Sequence, residues 1–281
     1  MPKLPVFSTI VQAMAVFGLH CGKILAWLVT PVFLGGGAVA AAVGLAAWRQ
    51  ALGHGFNIWL APVGVAIVFA IQTVLPLVIR INQLAVHGRV EQAGYMEMIF
   101  SPRCFRYLGY GCIVSAIMAA GLILAMLPAG LGAHFAWNGG GLSGASALGI
   151  ALSSALALAF MVLTTPLHLV FPAVAVEPAP ALGRAYNLGA HSKVRLFLAI
   201  FLSALFFAAL TRLFAMAGEL LSRGGHPLFV FILLPVQMGL VLFSWVTSIS
   251  VPAVAYRILS GLPDPQGEPQ DAPESGGGDF V

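Results

Sequence analysis

Six long apolar runs, separated by short polar loops, constrain this chain more than any other feature. A helix needs about 20 mainly apolar residues to cross a bilayer, because each backbone amide there must bond within its own segment. We predict membrane-spanning helices at residues 24–48, 58–79, 107–130, 143–171, 196–218 and 228–258. The expected fold is an all-α integral membrane protein with a polytopic domain over residues 1–258.

Charged residues are too scarce for an ordinary soluble domain. Asp, Glu, Lys and Arg make up 8% of the 281 residues, against about 25% in a typical soluble protein. Five of the nine acidic residues lie beyond Leu259, in a segment rich in Pro and Gly that has no Lys or Arg. Because such a segment cannot bury a core, we predict that residues 259–281 form a disordered acidic tail on the cytoplasmic side.

The positions of Lys and Arg predict the orientation, since positive residues in short loops are retained in the cytoplasm. Most of them fall on one side of the predicted spans, whereas only Arg49 and Arg223 lie in the opposite loops. We therefore expect both termini to be cytoplasmic. Seven of these residues form what we call the basic rim: Arg80, Arg89, Arg103, Arg106, Arg184, Lys193 and Arg195. The rim reflects topology alone, or it also contacts anionic lipid headgroups; nucleic acid is not an expected partner.

Amphipathic interfacial helices are predicted before the first, third and fifth spans, at about residues 1–22, 85–100 and 179–190. The sequence Pro-Ala-Val-Ala also recurs, from Pro172 at the end of the fourth span and from Pro252 at the end of the sixth. We interpret these patterns as three parallel units, each an interfacial helix followed by a two-span hairpin. A chance match within apolar sequence is the alternative.

One basic and aromatic stretch resembles a known group of membrane proteins. The fourth span closes with a Pro-Ala turn that ends in an acid, in Leu169–Glu177. A short amphipathic helix with basic and aromatic residues then leads into the next span, in Leu182–Tyr186 and Lys193–Phe197. Arg103–Tyr110 is similar to a second basic and aromatic segment that leads into a span in this group. The resemblance is to uncharacterised six-span inner-membrane proteins of bacteria, related to YciC-like proteins and to the membrane domain of some glycerophosphodiester phosphodiesterases. It implies a fold and a bacterial inner-membrane location, but it carries over no catalytic residue.

Gln72, Gln237 and Arg212 are the candidate functional side chains inside the predicted spans. Gln72 and Gln237 are expected to form interhelical hydrogen bonds, or to line a polar site if they face one cavity. Arg212 is expected to extend its charge to the interface, towards Glu219, or to contact an anion or lipid headgroup.

Recognisable catalytic and metal motifs are lacking in the sequence. The spans contain no Asp or Glu, which argues against a carboxylate-driven proton pump. His54, His134 and His226, one in each predicted outer loop, have no Cys, Asp or second His at ligand spacing, so we predict no metal site and no cofactor. The three cysteines fit no disulfide or zinc pattern.

The sequence thus predicts a non-enzymatic polytopic inner-membrane protein, either an accessory or scaffold component or a factor in membrane-lipid homeostasis. Its expected partners are membrane lipids and a larger membrane complex or further copies of itself. The alternative is a carrier or channel for a small polar or lipid solute, built from Gln72, Gln237 and the three even-numbered spans, which proline kinks. A membrane enzyme that uses the outer histidines is a third hypothesis.

Overall fold

The computed structural model describes residues 4–51, 60–139, 144–178, 180–223 and 227–265. All regular secondary structure in these ranges is helical. The helices are α1 (Val6–Pro31), α2 (Gly37–Ala51), α3 (Leu60–His87), α4 (Tyr95–Ile99), α5 (Pro102–Gly139), α6 (Gly144–Thr164), α7 (Val170–Val176), α8 (Leu182–Ala190), α9 (Lys193–Arg223) and α10 (Pro227–Ser260).

Within the described ranges, six helical stretches are long and apolar enough to cross a membrane, which fits the predicted class of all-α, multi-pass membrane protein. They are Val6–Gln50, Ala61–His87, Pro102–Leu131, Ala147–Val176, Lys193–Leu220 and Leu233–Ser260. Two of them are composite. The first joins α1 to α2, and the fourth joins α6 to α7.

The first stretch includes the segment predicted as a separate interfacial helix. Residues 6–31 are helical except at His20 (φ −121°, ψ 16°), where two helices meet at a kink close to the predicted start of the first span. A π-helical turn, Val32–Gly36, follows Pro31 and leads into α2. Gly35 in this turn lies against α3 so closely that an added methyl group would meet Thr73 Oγ1 at 2.6 Å. The glycine therefore allows close contact between the first two spans.

The fourth stretch changes helix type at Pro166, where residues Thr165–Leu169 form a 3₁₀ helix between α6 and α7. Proline lacks the amide hydrogen that would continue the α-helical bonding. Thr164 Oγ1 donates to the carbonyl of Phe160 at 2.8 Å, and Thr165 Oγ1 donates to that of Met161 at 2.6 Å. These hydroxyls satisfy their own hydrogen bonds within the preceding turn.

The helix predicted over residues 85–100 is not continuous. Its first residues complete α3, which ends at His87. The next residue is Gly88, where φ is +68° and the amide donates to the Leu84 carbonyl at 2.9 Å. Glycine adopts this left-handed conformation without steric cost and so terminates the helix. Only α4 remains of the predicted helix, after a loop of residues 89–94. The interfacial helix predicted at about residues 179–190 corresponds to α8.

The last turns of α3, α7 and α10 pack together into one core, at what we call the basal end of the molecule. Ile79, Val170, Val174, Val251 and Val254 are fully or almost fully buried there. From this end the spans extend as pairs, with α2 along α3, α5 along α6 and α9 along α10. The basal end thus holds the core, while most large side chains of the spans face outwards.

Part of the predicted tail lies against the basal end. Residues 261–265 follow α10, and Pro265 packs on the left-handed Gly88. Residues 266–281 lie outside the described part of the chain.

Candidate functional site

Arg80, in the last two turns of α3, is the most unusual side chain at the basal end. Only 8% of its surface is exposed. One terminal nitrogen donates to the carbonyl of Ala93 at 2.7 Å, and the guanidinium carbon lies 5.2 Å from the ring centres of both Trp27 and Tyr95. Cation–π contacts of this kind offset part of the cost of removing a charge from water.

Tyr95 fixes one side of this arrangement. Its hydroxyl donates to the carbonyl of Thr73 at 2.8 Å, so α4 is held against α3. Burial raises the pKa of the Tyr95 phenol, and the positive charge of Arg80 partly opposes that rise. The phenol therefore stays neutral and retains the proton that the hydrogen bond needs.

A carboxylate partner for Arg80 is not found within ion-pair distance among the described residues. Its Nε atom is buried and has no hydrogen-bond partner in the same part of the chain. An unpaired buried charge is costly. Arg80 is therefore positioned by aromatic rings and a backbone carbonyl, and no acid in the described ranges neutralises it.

A surface cavity of about 400 Å³ opens beside this guanidinium, and we call it the Arg80 cavity. Its walls include Lys23, Trp27, Arg80, Leu84, Glu91 and Ala93. Lys23 is exposed on α1, one turn before Trp27. The Glu91 carboxylate forms an ion pair with Arg103. The cavity thus combines two cations with apolar walls, and its one acid is already paired.

The other rim residues mostly bond to protein groups. Arg106 donates to the carbonyl of Pro178, and Arg195 donates to that of Leu4 at 3.5 Å. Arg184 lies 3.8 Å from Glu177, with 71% of its side chain exposed. Arg89 is exposed and Lys193 is half-buried. The rim therefore lies at the basal end, but it is a set of separate contacts rather than a continuous basic surface.

Arg257, in the last turn of α10, is the second buried cation among the described residues. It is 2% exposed and bonds to three segments at once. It donates to the Ala85 carbonyl at 3.2 Å and to Gln12 Oε1 at 2.8 Å, and it lies 3.1 Å from Asp264 Oδ1. Gln12 also contacts Asp264, through Nε2 at 3.4 Å. This cluster joins α1, α3, α10 and the start of the tail.

The two intramembrane glutamines have different surroundings. Gln72 is buried, and its amide donates to the carbonyl of Ile99 in α4 at 2.6 Å. Gln237 is half-buried on α10. The cavities described here are lined by neither of them. Gln72 thus makes an interhelical contact, as one of the two interpretations predicted.

Arg212 is exposed on α9 and borders a groove between α9 and α10. This groove, of about 420 Å³, is open and includes Thr211, Ser244 and Ser248. Ser248 donates to the Ser244 carbonyl at 2.8 Å, so its hydroxyl is satisfied within α10.

Of the three predicted outer-loop histidines, one lies in the described part of the chain. His134 is exposed near the end of α5, whereas His54 and His226 lie outside the described residues. In the part of the chain that the structure describes, no three His, Cys, Asp or Glu side chains are grouped as metal ligands would be.

Sequence reasoning placed Arg80 in the basic rim but missed Lys23, Trp27 and Tyr95 as its neighbours. One signal was present. Lys23 and Trp27 are four residues apart, a spacing that places them on the same face of a helix. The contact of this face with Arg80 depends on tertiary packing, which the spacing does not reveal. Neither a family model nor a curated protein nor a solved structure matches the chain, so the resemblance to YciC-like proteins stays a prediction.

Proposed function

We propose that this chain is a non-enzymatic, multi-pass protein of a bacterial inner membrane, and that it acts as an accessory or scaffold component in membrane-lipid homeostasis. The basal end faces the cytoplasm in this proposal, because the basic rim lies there. The observation that carries it is the basal core, in which the ends of α3, α7 and α10 are interlocked. A core of this kind holds a fixed surface for lipids and partners.

The proposal includes a threefold plan of helix pairs. Pro76, Pro172 and Pro252 lie in the three segments that meet in the basal core, and each is buried. Each of these segments ends a pair of spans. The meeting of equivalent segments at one place supports an origin in three parallel units.

Anionic lipid headgroups are the proposed partners of the basal end, with a larger membrane complex or a second copy of the chain as further ones. The cations there lie close to the ends of the spans, where headgroups are found. The spans also expose many large apolar side chains, such as Leu124, Leu148 and Leu213. Acyl chains or the apolar helices of a neighbouring membrane protein would cover them.

Accessibility of residue 72 tests this proposal against a carrier. In a chain whose three cysteines are replaced by alanine, Gln72→Cys is exposed to a membrane-impermeant maleimide on both sides of native membranes. We expect no labelling, because Gln72 is buried between α3 and α4. A carrier must bring water to its polar intramembrane residues in at least one state.

The control is Arg89→Cys in the same background, since Arg89 is exposed in the loop after α3. This variant should be labelled from the cytoplasmic side only. If Gln72→Cys reacts as readily as the control, the burial of this position is disproved and a carrier is favoured.

A further inference from the structure

We propose that the Arg80 cavity binds the phosphodiester of one anionic phospholipid. This inference rests on the proposed lipid-facing role and names the ligand and its site. Three observations carry it: the unneutralised charge of Arg80, the second cation at Lys23, and the apolar walls between them.

The charge of Arg80 is the first step of the argument. The guanidinium is buried, its Nε has no partner among the described atoms, and no described carboxylate is close enough to pair with it. A guanidinium presents several N–H groups in one plane, which match the oxygens of a phosphate group. A phosphate in the Arg80 cavity, which this side chain lines, would supply the missing negative charge.

The remaining walls distinguish a phosphate ligand from an unspecific counter-ion. Lys23 adds a second cation on α1, and Glu91, the acid in the wall, is bound to Arg103. The cavity of about 400 Å³ lies within the range of about 300–1,000 Å³ that small-molecule sites occupy. It has room for a phosphate together with its glycerol.

Lipid is favoured over free phosphate as the source of this group. Lys23 and Trp27 belong to a stretch long and apolar enough to span a membrane, so the cavity borders the bilayer. Tryptophan and lysine are typical of the depth at which headgroups lie. Trp27 and Leu84 provide an apolar surface for the glycerol and the first acyl carbons.

The test measures lipid bound to the full chain in nanodiscs. Native mass spectrometry counts phosphatidylglycerol, with phosphatidylcholine as the neutral comparison, in high salt, which screens non-specific attraction. We expect one retained phosphatidylglycerol in the unaltered chain. Lys23→Gln should weaken its binding about fivefold, the effect of about 1 kcal/mol for one basic residue. Arg80→Gln should weaken it about tenfold or more, because the lost hydrogen bonds are charge-assisted.

Two further variants separate the site from general attraction. Arg80→Lys keeps the charge but lacks the planar donors, so its binding should fall between those of the unaltered chain and Arg80→Gln. Arg49→Gln removes a charge that belongs neither to the basic rim nor to the walls of the cavity, and it should leave the retained lipid in place. Lys23 is exposed, so its variant decides the result if Arg80→Gln does not fold.

Equal binding by the unaltered chain, Lys23→Gln and Arg80→Gln would overturn the site. Displacement of the lipid by excess inorganic phosphate would overturn the lipid as its source. Neither result affects labelling at residue 72, so failure of this site is distinguishable from failure of the proposed function.

Discussion

At the scale of single residues, the two buried arginines are stabilised in different ways. Arg257 has a carboxylate, a side-chain amide and a carbonyl around it. Arg80 has two aromatic rings and a carbonyl. Since charges are rarely buried without a counter-charge, this difference is the basis of our proposal that Arg80 binds a ligand.

We expect Asp264→Asn to destabilise the protein by about 1–2 kcal/mol, the typical cost when a buried charge loses a hydrogen-bonded partner. Arg257 is 2% exposed and would keep its charge without the opposite one. The midpoint of thermal unfolding in detergent measures this effect.

Arg184→Gln is the matched control, because Arg184 forms an ion pair with Glu177 at 3.8 Å and has an exposed side chain. Exposed pairs contribute about 0–1 kcal/mol, so this midpoint should hardly change. Equal midpoints for Asp264→Asn and the unaltered chain would show that the contact with the tail does not stabilise the fold.

The sequence predicted these residues only in part. The position of Arg80 in a predicted loop was enough to place it at the basal end, because the positive-inside rule uses only the loop in which a basic residue lies. Arg257 also contacts Gln12, which lies 245 positions away in the sequence. Such a contact depends on how helices pack, and no local pattern records it.

At the scale of helices, the pair α5 and α6 depends on one glycine. A methyl group added at Gly121 would lie 1.9 Å from the ring of Phe160, far below any normal contact. The glycine therefore allows the two helices to approach, as small residues do in membrane proteins.

Gly121→Ala should destabilise the protein by about 1–3 kcal/mol through overpacking. Alanine otherwise favours a helix over glycine by about 1 kcal/mol, so the expected sign is opposite to that of the intrinsic preference. Thermal unfolding of the purified protein in detergent gives the measurement.

Gly130→Ala serves as the comparison on the same helix, because nothing lies within 4 Å of the added methyl group. It should leave stability unchanged or raise it slightly. A double variant with Phe160→Leu should recover part of the loss at Gly121. Similar stability of the two alanine variants would refute the close approach.

The spans themselves were predictable, since length and hydropathy define them. The internal changes of helix type were not. Pro31 and Pro166 are visible in the sequence, yet the first precedes a π-helical turn and the second lies in a 3₁₀ helix. The type of helical turn that forms at each proline depends on packing against neighbours, such as that of Thr73 on Gly35. The loop after α3 could have been anticipated from Gly88.

At the scale of the whole molecule, six candidate spans make an even number of crossings. Both termini should therefore lie on the same side, and the basic rim predicts that this side is the cytoplasm. A reporter that is active only in the cytoplasm should work when fused to either end. Fusion of a periplasmic reporter to the α9–α10 connection provides the opposite control. Termini on different sides would mean that one apolar stretch does not cross.

The contact of Asp264 with Arg257 also sets where the chain can be shortened. A version that stops at Ser260, the last residue of α10, removes the counter-ion of a guanidinium that has no access to water. A version that stops at Pro265 retains it, together with the packing on Gly88. We therefore expect the minimal stable protein to extend past α10, and boundaries for expression should be placed after Pro265.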